Sequence, residues 1–257
     1  MEYIAICAAA FIASGLTLFS GFGLGTVLMP VFSVFFPLDI SVAMTAIVHF
    51  LNNLFKLALL GRNADKRVVL LFGGPAMLAA ALGAALLLRL SDASPLFVYE
   101  LASRQFQVMP VKAVIAALLL VFSVGETLPA VEKLSFDKKY LPLGGILSGF
   151  VGGLSGLQGA LRSAFLIKSG LPKEVFIATG AVIAALVDVT RITVYIPHFK
   201  ASALGDHWLL VVLAVVSAFL GAFIGSRLVK KVTMRAVQIT VAVMLCAVAL
   251  GLGLGLI

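Results

Sequence analysis

Six apolar runs of roughly 20 residues punctuate the chain, at 40–61, 68–89, 107–124, 174–196, 207–228 and 236–257. Each has the length an α-helix needs to cross a hydrocarbon core, whereas barrel strands would show alternating segments of about ten residues. The pattern predicts an all-α polytopic membrane protein. Two further segments fit less simply. Residues 3–36 are interrupted by glycine near 21–25, and residues 141–168 near 152–159. The second is long for one crossing and short for two. The pieces after the breaks, 24–36 and 159–168, have the length of a half-helix that goes only part-way into a bilayer.

The chain also repeats itself. A shift of 135 residues aligns "SGFG" at 20–23 with "SGLQ" at 155–158, and "PLDISVAMTAIV" at 37–48 with "PKEVFIATGAVI" at 172–183. The same shift pairs Asn53 with Asp188 and Lys56 with Arg191. A shift of 138 pairs "GAALLLRL" at 83–90 with "GAFIGSRL" at 221–228. Shared glycine, proline and charged positions go beyond shared hydrophobicity, so the chain reads as one unit duplicated. The first copy is 1–125, with hairpin 3–36 and helices 40–61, 68–89 and 107–124. The second is 126–257, with hairpin 141–168 and helices 174–196, 207–228 and 236–257. Together they make a single membrane domain.

Lysine and arginine decide how the broken segments run. If each crosses once, the basic residues of the loops divide 7 to 9 and show no bias. If each enters, turns and leaves on one side, loops 61–67, 125–140, 168–173 and 227–235 share a face with 12, and the other face holds 4. Only the second arrangement obeys the positive-inside rule. It places both termini outside. A hairpin plus three crossings is an odd number of passes, so the two copies are expected to be inverted, each a re-entrant helical hairpin plus three transmembrane helices. Inverted repeats with broken helices are a transporter architecture, with binding near the midplane.

Composition agrees with this picture. Hydrophobic residues make up 62% of the 257 and charged ones 12%, with a mean hydropathy of +1.17. The net charge of +8 sits in short clusters between apolar runs, where membrane orientation explains it and no nucleic acid is needed. Cys7 and Cys246 are lone residues in apolar segments. Met1-Glu2-Tyr3 lacks a basic leader, so no removed signal peptide is expected.

The chemistry gathers at the breaks. Gly21, Gly23 and Gly25 in the first hairpin, and Gly152, Gly153, Gly156 and Gly159 in the second, allow the backbone to leave the helix. The half-helices that follow offer free N–H groups and a positive dipole end, which suits an anion. The alternative is that the glycines serve tight helix packing. Arg162, in the first turn of the second half-helix, opposes that dipole and is costly at this depth, so it needs a negative partner: an anionic substrate or Asp188. Ser155, Gln158, Gly159 and Ser163 stand beside it, with Thr26 and Ser20 on the first tip. His49, Asn52, Asn53 and Lys56 can share one face of the next helix, and Asp188 and Arg191 repeat the last two. Lys56 and Arg191 either guard the two mouths of a path, or Lys56 snorkels to loop 61–67 and Asp188–Arg191 is a structural pair. His49 is an interior histidine or a ligand for substrate or proton. No cluster has metal-ligand spacing and no cofactor is expected. A rhomboid-type serine hydrolase using Ser155 is the alternative function. A cation channel lacks its acidic rings.

With "SGFGLGTVLMPVF" at 20–32, "FPLDISVAMTAIVHFLNNLFK" at 36–56 and "SGFVGGLSGLQGALRSAFLIKSGLPKEVFIATGAVIA" at 148–184, the sequence resembles the sulfite exporter TauE/SafE family. The resemblance covers most of the chain. It implies outward movement of a small sulfur-containing anion, sulfite or an organosulfonate, across the bacterial inner membrane, and a homodimer. The second tip departs from the family in reading Gly-Leu-Gln-Gly-Ala-Leu-Arg rather than an all-glycine run, which favours an anion while leaving its identity open. The expected substrate site is Gly23, Gly25, Thr26, His49, Asn52, Asn53, Lys56, Ser155, Gln158, Gly159, Arg162, Asp188 and Arg191.

Overall fold

The computed structural model describes residues 2–20, 24–60, 63–101, 104–128, 135–197, 207–228 and 234–257. Among these, ten helices follow in order: α1 (Glu2–Ser20), α2 (Leu24–Ser33), α3 (Leu38–Leu60), α4 (Lys66–Ser91), α5 (Pro110–Thr127), α6 (Leu141–Ser155), α7 (Gly159–Leu166), α8 (Lys173–Tyr195), α9 (Trp208–Leu228) and α10 (Met234–Gly253). Four of them, α3, α4, α8 and α9, are long and apolar enough to cross a membrane. The chain is a multi-pass helical membrane protein. Prolines set several starts, since a residue without an N–H is tolerated in the first turn: Pro110 opens α5 and Pro142 follows the first residue of α6. Within α4 the turn Val69–Gly73 widens to π geometry just before Pro75, which has no N–H to return to Leu71.

The second unusual segment is broken: α6 stops at Ser155 and α7 starts at Gly159. In the first, α1 reaches Ser20 and α2 starts at Leu24, and the expected break at Gly21 and Gly23 lies outside the described residues. Gly156 makes the second break with φ 80, its N–H bonded to the Gly152 carbonyl at 2.8 Å. This left-handed cap is open to glycine at little cost. Gly152 and Gly153, expected to belong to the turn, are instead helical. From the break α7 returns along α6: Ser148 Oγ donates to the Gln158 carbonyl at 3.0 Å, and the Phe165 ring covers Gly144 near the start of α6.

The remaining glycines of α6 pack helices. Gly145, Gly149 and Gly153, four residues apart, lie against the carbonyls of Phe72, Ala76 and Ala80 on α4, so close that no Cβ fits. Small residues let backbones approach in this way when water supplies no driving force between helices. The two helices run parallel, because both series ascend together. On the other side α1 packs on α9 through Gly15, Gly221 and Gly225, also parallel. The Gly15–Gly221 contact becomes the Phe150–Gly83 contact under the two repeat shifts of 135 and 138 residues. α3 and α8 run antiparallel, since Asp65 after α3 bonds Thr179 early in α8 at 2.9 Å, while Asp188 meets His49 and Asn53.

Chain ends and loops are tied together at two places. The Phe136 N–H donates to the Ala164 carbonyl at 3.3 Å, and Lys138 Nζ reaches toward Gly170, so 135–140 and 164–170 share an end. At another place two strands, β1 (Phe97–Leu101) and β2 (Arg104–Val108), pair antiparallel with Phe97 opposite Val108. This hairpin corrects the all-helical expectation, which took 89–112 as a loop. Its Tyr99 hydroxyl donates to the Leu254 carbonyl at 2.6 Å, and Gly255 lies on the Gln107 backbone, tying 96–108 to the C-terminal end of α10.

Candidate functional site

Most side chains between the helices are apolar, so the buried charges stand out. Among the described residues these are Lys56, Arg162, Asp188 and Arg191, joined by His49. α3 supplies His49, Asn52, Asn53 and Lys56 from one face, α8 supplies Asp188 and Arg191, and the break with the first turn of α7 supplies Gln158 and Arg162. Asn53 and Asp188, which the 135-residue shift aligns, meet with Asn53 Nδ2 donating to Asp188 Oδ2 at 3.5 Å.

Asp188 is the hub. Its Oδ1 accepts from Arg191 Nε at 3.0 Å and from Gln158 Nε2 at 3.4 Å. Its Oδ2 lies 2.6 Å from His49 Nδ1. Arg191, fully buried, also donates from Nη1 to the Gly152 carbonyl at 3.3 Å, and its Nη2 sits 2.8 Å from Asp188 Oδ1 without an aligned hydrogen bond. The Tyr195 hydroxyl donates to the Gly153 carbonyl, so α8 grips the last turn of α6 at two successive carbonyls.

Arg162 is held differently. Asp188 is already shared by Arg191 and His49, and Arg162 reaches it only through Gln158, its Nη1 donating to Gln158 Oε1 at 3.4 Å. The expected direct pair of Arg162 with Asp188 is therefore not formed. Lys56 is 7% exposed and Arg162 9%, and they repel one another across the site. Among the described residues, three buried cations thus stand against one buried carboxylate. Among the described residues, Thr45 Oγ1 and the N–H donor Asn52 Nδ2 are buried without a partner, while Arg191 Nη2 has only its ion-pair contact with Asp188. Such orphans are expensive in a low-dielectric interior unless a ligand or water meets them.

The start of α2 touches the second break. A Cβ on Gly25 would lie 2.9 Å from the Gly156 carbonyl oxygen, and one on Gly156 2.8 Å from Arg191 Nη1. Gly25 and Gly156 are thus sites of close backbone approach, and Thr26 is buried beside them. Gly159 starts α7. Gly23 lies outside the described residues. Ser155 is turned away from the cluster: its Oγ donates to the Val151 carbonyl at 2.8 Å and accepts from the Leu157 N–H at 3.3 Å.

The family model "Sulfite exporter TauE/SafE" matches residues 6–252, nearly the whole chain. The chain belongs to the TauE/SafE sulfite exporter family. No curated protein matches it. As a TauE/SafE protein it is a membrane transporter and not an enzyme. The hydrolase alternative has no support either in the site, where the Ser155 hydroxyl bonds its own helix and His49 is committed to Asp188.

Sequence reasoning missed several members of this buried polar cluster. Ser14 of α1 donates to Asn52 Oδ1 at 3.0 Å, a contact across 38 residues with no local signal. Thr45 was legible, one helical face with His49 and Asn52. Tyr195 follows Arg191 at i, i+4, and that spacing was the available sign.

Proposed function

We propose that this TauE/SafE protein is a secondary transporter that carries a small sulfur-containing anion, such as sulfite or an organosulfonate, outward across the bacterial inner membrane by alternating access. The observation that carries the reading is the buried excess of positive charge: among the described residues Lys56, Arg162 and Arg191 stand against Asp188 alone, with an unpartnered N–H group on Asn52. Uncompensated buried cations are costly, and an anion arriving with its own negative charge removes that cost. Arg162 is the principal charge, Gln158 and Asn52 orient oxyanion oxygens, and Lys56 draws the anion inward. Arg191 is positioned by Asp188.

The architecture behind this reading is two inverted repeats, each a re-entrant hairpin plus three crossings, in one membrane domain. Three contacts support it. If the broken segments crossed fully, α3 and α8 would run the same way, loop 125–140 would lie opposite residues 164–173, and 89–112 opposite the C-terminus. The antiparallel α3–α8 pair, the Phe136–Ala164 bond and the Tyr99–Leu254 bond each favour the hairpin alternative. It follows that both termini face the periplasm, with the basic loops in the cytoplasm. Rocking of one half against the other then exposes the shared centre to each side in turn. The small anion and the bilayer are the partners this mechanism requires, and the protein assembles as a homodimer.

The test is transport by purified protein in liposomes loaded with radiolabelled sulfite or an organosulfonate. Arg162→Ala removes charge-assisted hydrogen bonds of about 1.5–3 kcal/mol and should weaken transport at sub-saturating anion roughly ten- to a hundredfold. Its thermal stability should not fall, since an unpaired buried charge is removed. Undiminished transport of every tested anion by this variant rejects the role given to Arg162.

A further inference from the structure

Asp188 divides its two oxygens between partners of different kinds. Oδ1 faces Arg191, a permanent cation, while Oδ2 lies 2.6 Å from His49 Nδ1 in a contact with side chains 4% and 0% exposed. A ring nitrogen at that distance from a carboxylate oxygen carries a proton, so the second nitrogen, Nε2, decides whether the ring is neutral or charged. The same carboxylate accepts from Gln158 Nε2, and Gln158 Oε1 accepts from Arg162 Nη1. One unbroken chain of hydrogen bonds therefore runs from His49 through Asp188 and Gln158 to the arginine assigned to the anion.

The charges around His49 are few and can be named. Asp188 and Arg191 act on it from α8 and Arg162 from α7. On its own helix Asn53 Nδ2 lies 3.2 Å from Nδ1, and Lys56 follows two turns on. Of the other described helices at α3, α2 has no charged residue, α9 has none over Trp208–Gly225, α4 carries Lys66, Arg67 and Arg89 only in its end turns, and α1, which meets α3 through Ser14, carries only Glu2 at its far end. A negative charge arriving beside Lys56 and Arg162 is thus one of few that can change the balance at His49. Conversely, an imidazolium would neutralise Asp188 and raise the positive potential felt by the anion.

We propose that His49 and Asp188 form a proton-binding site positively linked to the anion site, so that each anion bound brings one proton from solvent onto His49 Nε2. The inference rests on the anion-binding reading above. Histidine is the side chain whose charge changes near neutral pH, and linkage makes the effect reciprocal: protons favour the anion by the factor by which the anion favours protons. Anion and proton then travel together, and the proton gradient enters the energetics of transport.

Binding of sulfate and of methanesulfonate, which stay fully ionised throughout, is measured by calorimetry on purified protein between pH 5.5 and pH 8.5. Proton uptake is followed with an indicator dye in weakly buffered solution. Wild-type affinity should fall about tenfold or more with rising pH, never more steeply than tenfold per pH unit for one proton, with uptake on binding near neutrality. His49→Gln should hold the affinity at the wild type's alkaline value at every pH and abolish the uptake. His49→Asn, carried through the same assay, guards against misfolding of the first variant. Lys56→Met should weaken binding throughout and leave the slope in place. A flat wild-type profile without uptake overturns the linkage alone, as does a slope that persists without His49. Absence of any anion binding by the wild type overturns the site reading and the linkage with it.

Discussion

Removal of the Asp188 carboxylate tests whether the buried cations are balanced as described. Asp188→Ala deletes four contacts at once: Arg191 Nε at 3.0 Å, His49 Nδ1 at 2.6 Å, Gln158 Nε2 at 3.4 Å and Asn53 Nδ2 at 3.5 Å. The largest consequence falls on Arg191, which is fully buried and has no other carboxylate within ion-pair distance among the described residues. At 2.8 Å and an effective dielectric of about 20, the lost attraction is about 6 kcal/mol, part of which only offset the cost of burying the two charges. Breaking one side of such a pair typically destabilises by about 3–5 kcal/mol, because the surviving charge stays in place unpaired. Unfolding of detergent-purified protein by SDS titration, followed by circular dichroism, measures this directly. The double variant Asp188→Ala with Arg191→Met removes both charges and should recover at least about 2 kcal/mol of the loss, giving a coupling energy of that size in the cycle. A single variant as stable as the wild type, or a double variant no better than the single, would refute the argument that Asp188 compensates Arg191.

Three further outcomes follow from particular contacts. Gly149→Leu drives a side chain into the Ala76 backbone at the α4–α6 contact and should cost about 3 kcal/mol or more in the same unfolding assay, whereas a substitution at the exposed Leu147 of the same helix should cost little. Gly156→Ala places a Cβ on a residue at φ 80 and 2.8 Å from Arg191 Nη1; the backbone term alone is about 1–2 kcal/mol, and transport should fall with it. For orientation, single cysteines in a background lacking Cys7 and Cys246 should react with an impermeant maleimide from outside at Ser94 in loop 89–112, and only after permeabilisation at Asn63 in loop 61–67. The reverse pattern would invert the assigned topology.

Much of this was legible in the chain because a bilayer leaves the backbone so few choices. With no water to meet a free N–H or C=O, an apolar run of crossing length has to be a helix, and the runs at 40–61, 68–89, 107–124, 174–196, 207–228 and 236–257 correspond to α3, α4, α5, α8, α9 and α10 within a few residues. A glycine cluster in polar company marked the break before α7, and the conjunction of histidine, asparagine, lysine, aspartate and arginine marked the buried polar cluster, since charge inside an apolar run requires a reason. The β1–β2 hairpin escaped notice although 104–108 alternates polar and apolar residues, because it lies outside the runs that hydropathy brings forward.

What the sequence by itself determined is therefore local: helix identity and extent, the glycine break before α7, and the set of polar residues with no business in lipid. Partner choice was decided only by the tertiary structure. Arg162 and Arg191 look interchangeable in one dimension, yet Arg191 takes Asp188 and Arg162 is left with Gln158. Equally, Gly149, Gly153 and Gly156 share a chemistry, but two press against α4 and the third turns the chain. The reason is physical: helix formation and lipid exclusion depend on neighbours in sequence, whereas the pairing of charges and the close approach of backbones depend on helices that meet from 30 to 140 residues apart, as Gln158 with Asp188 and His49 with Asp188 do.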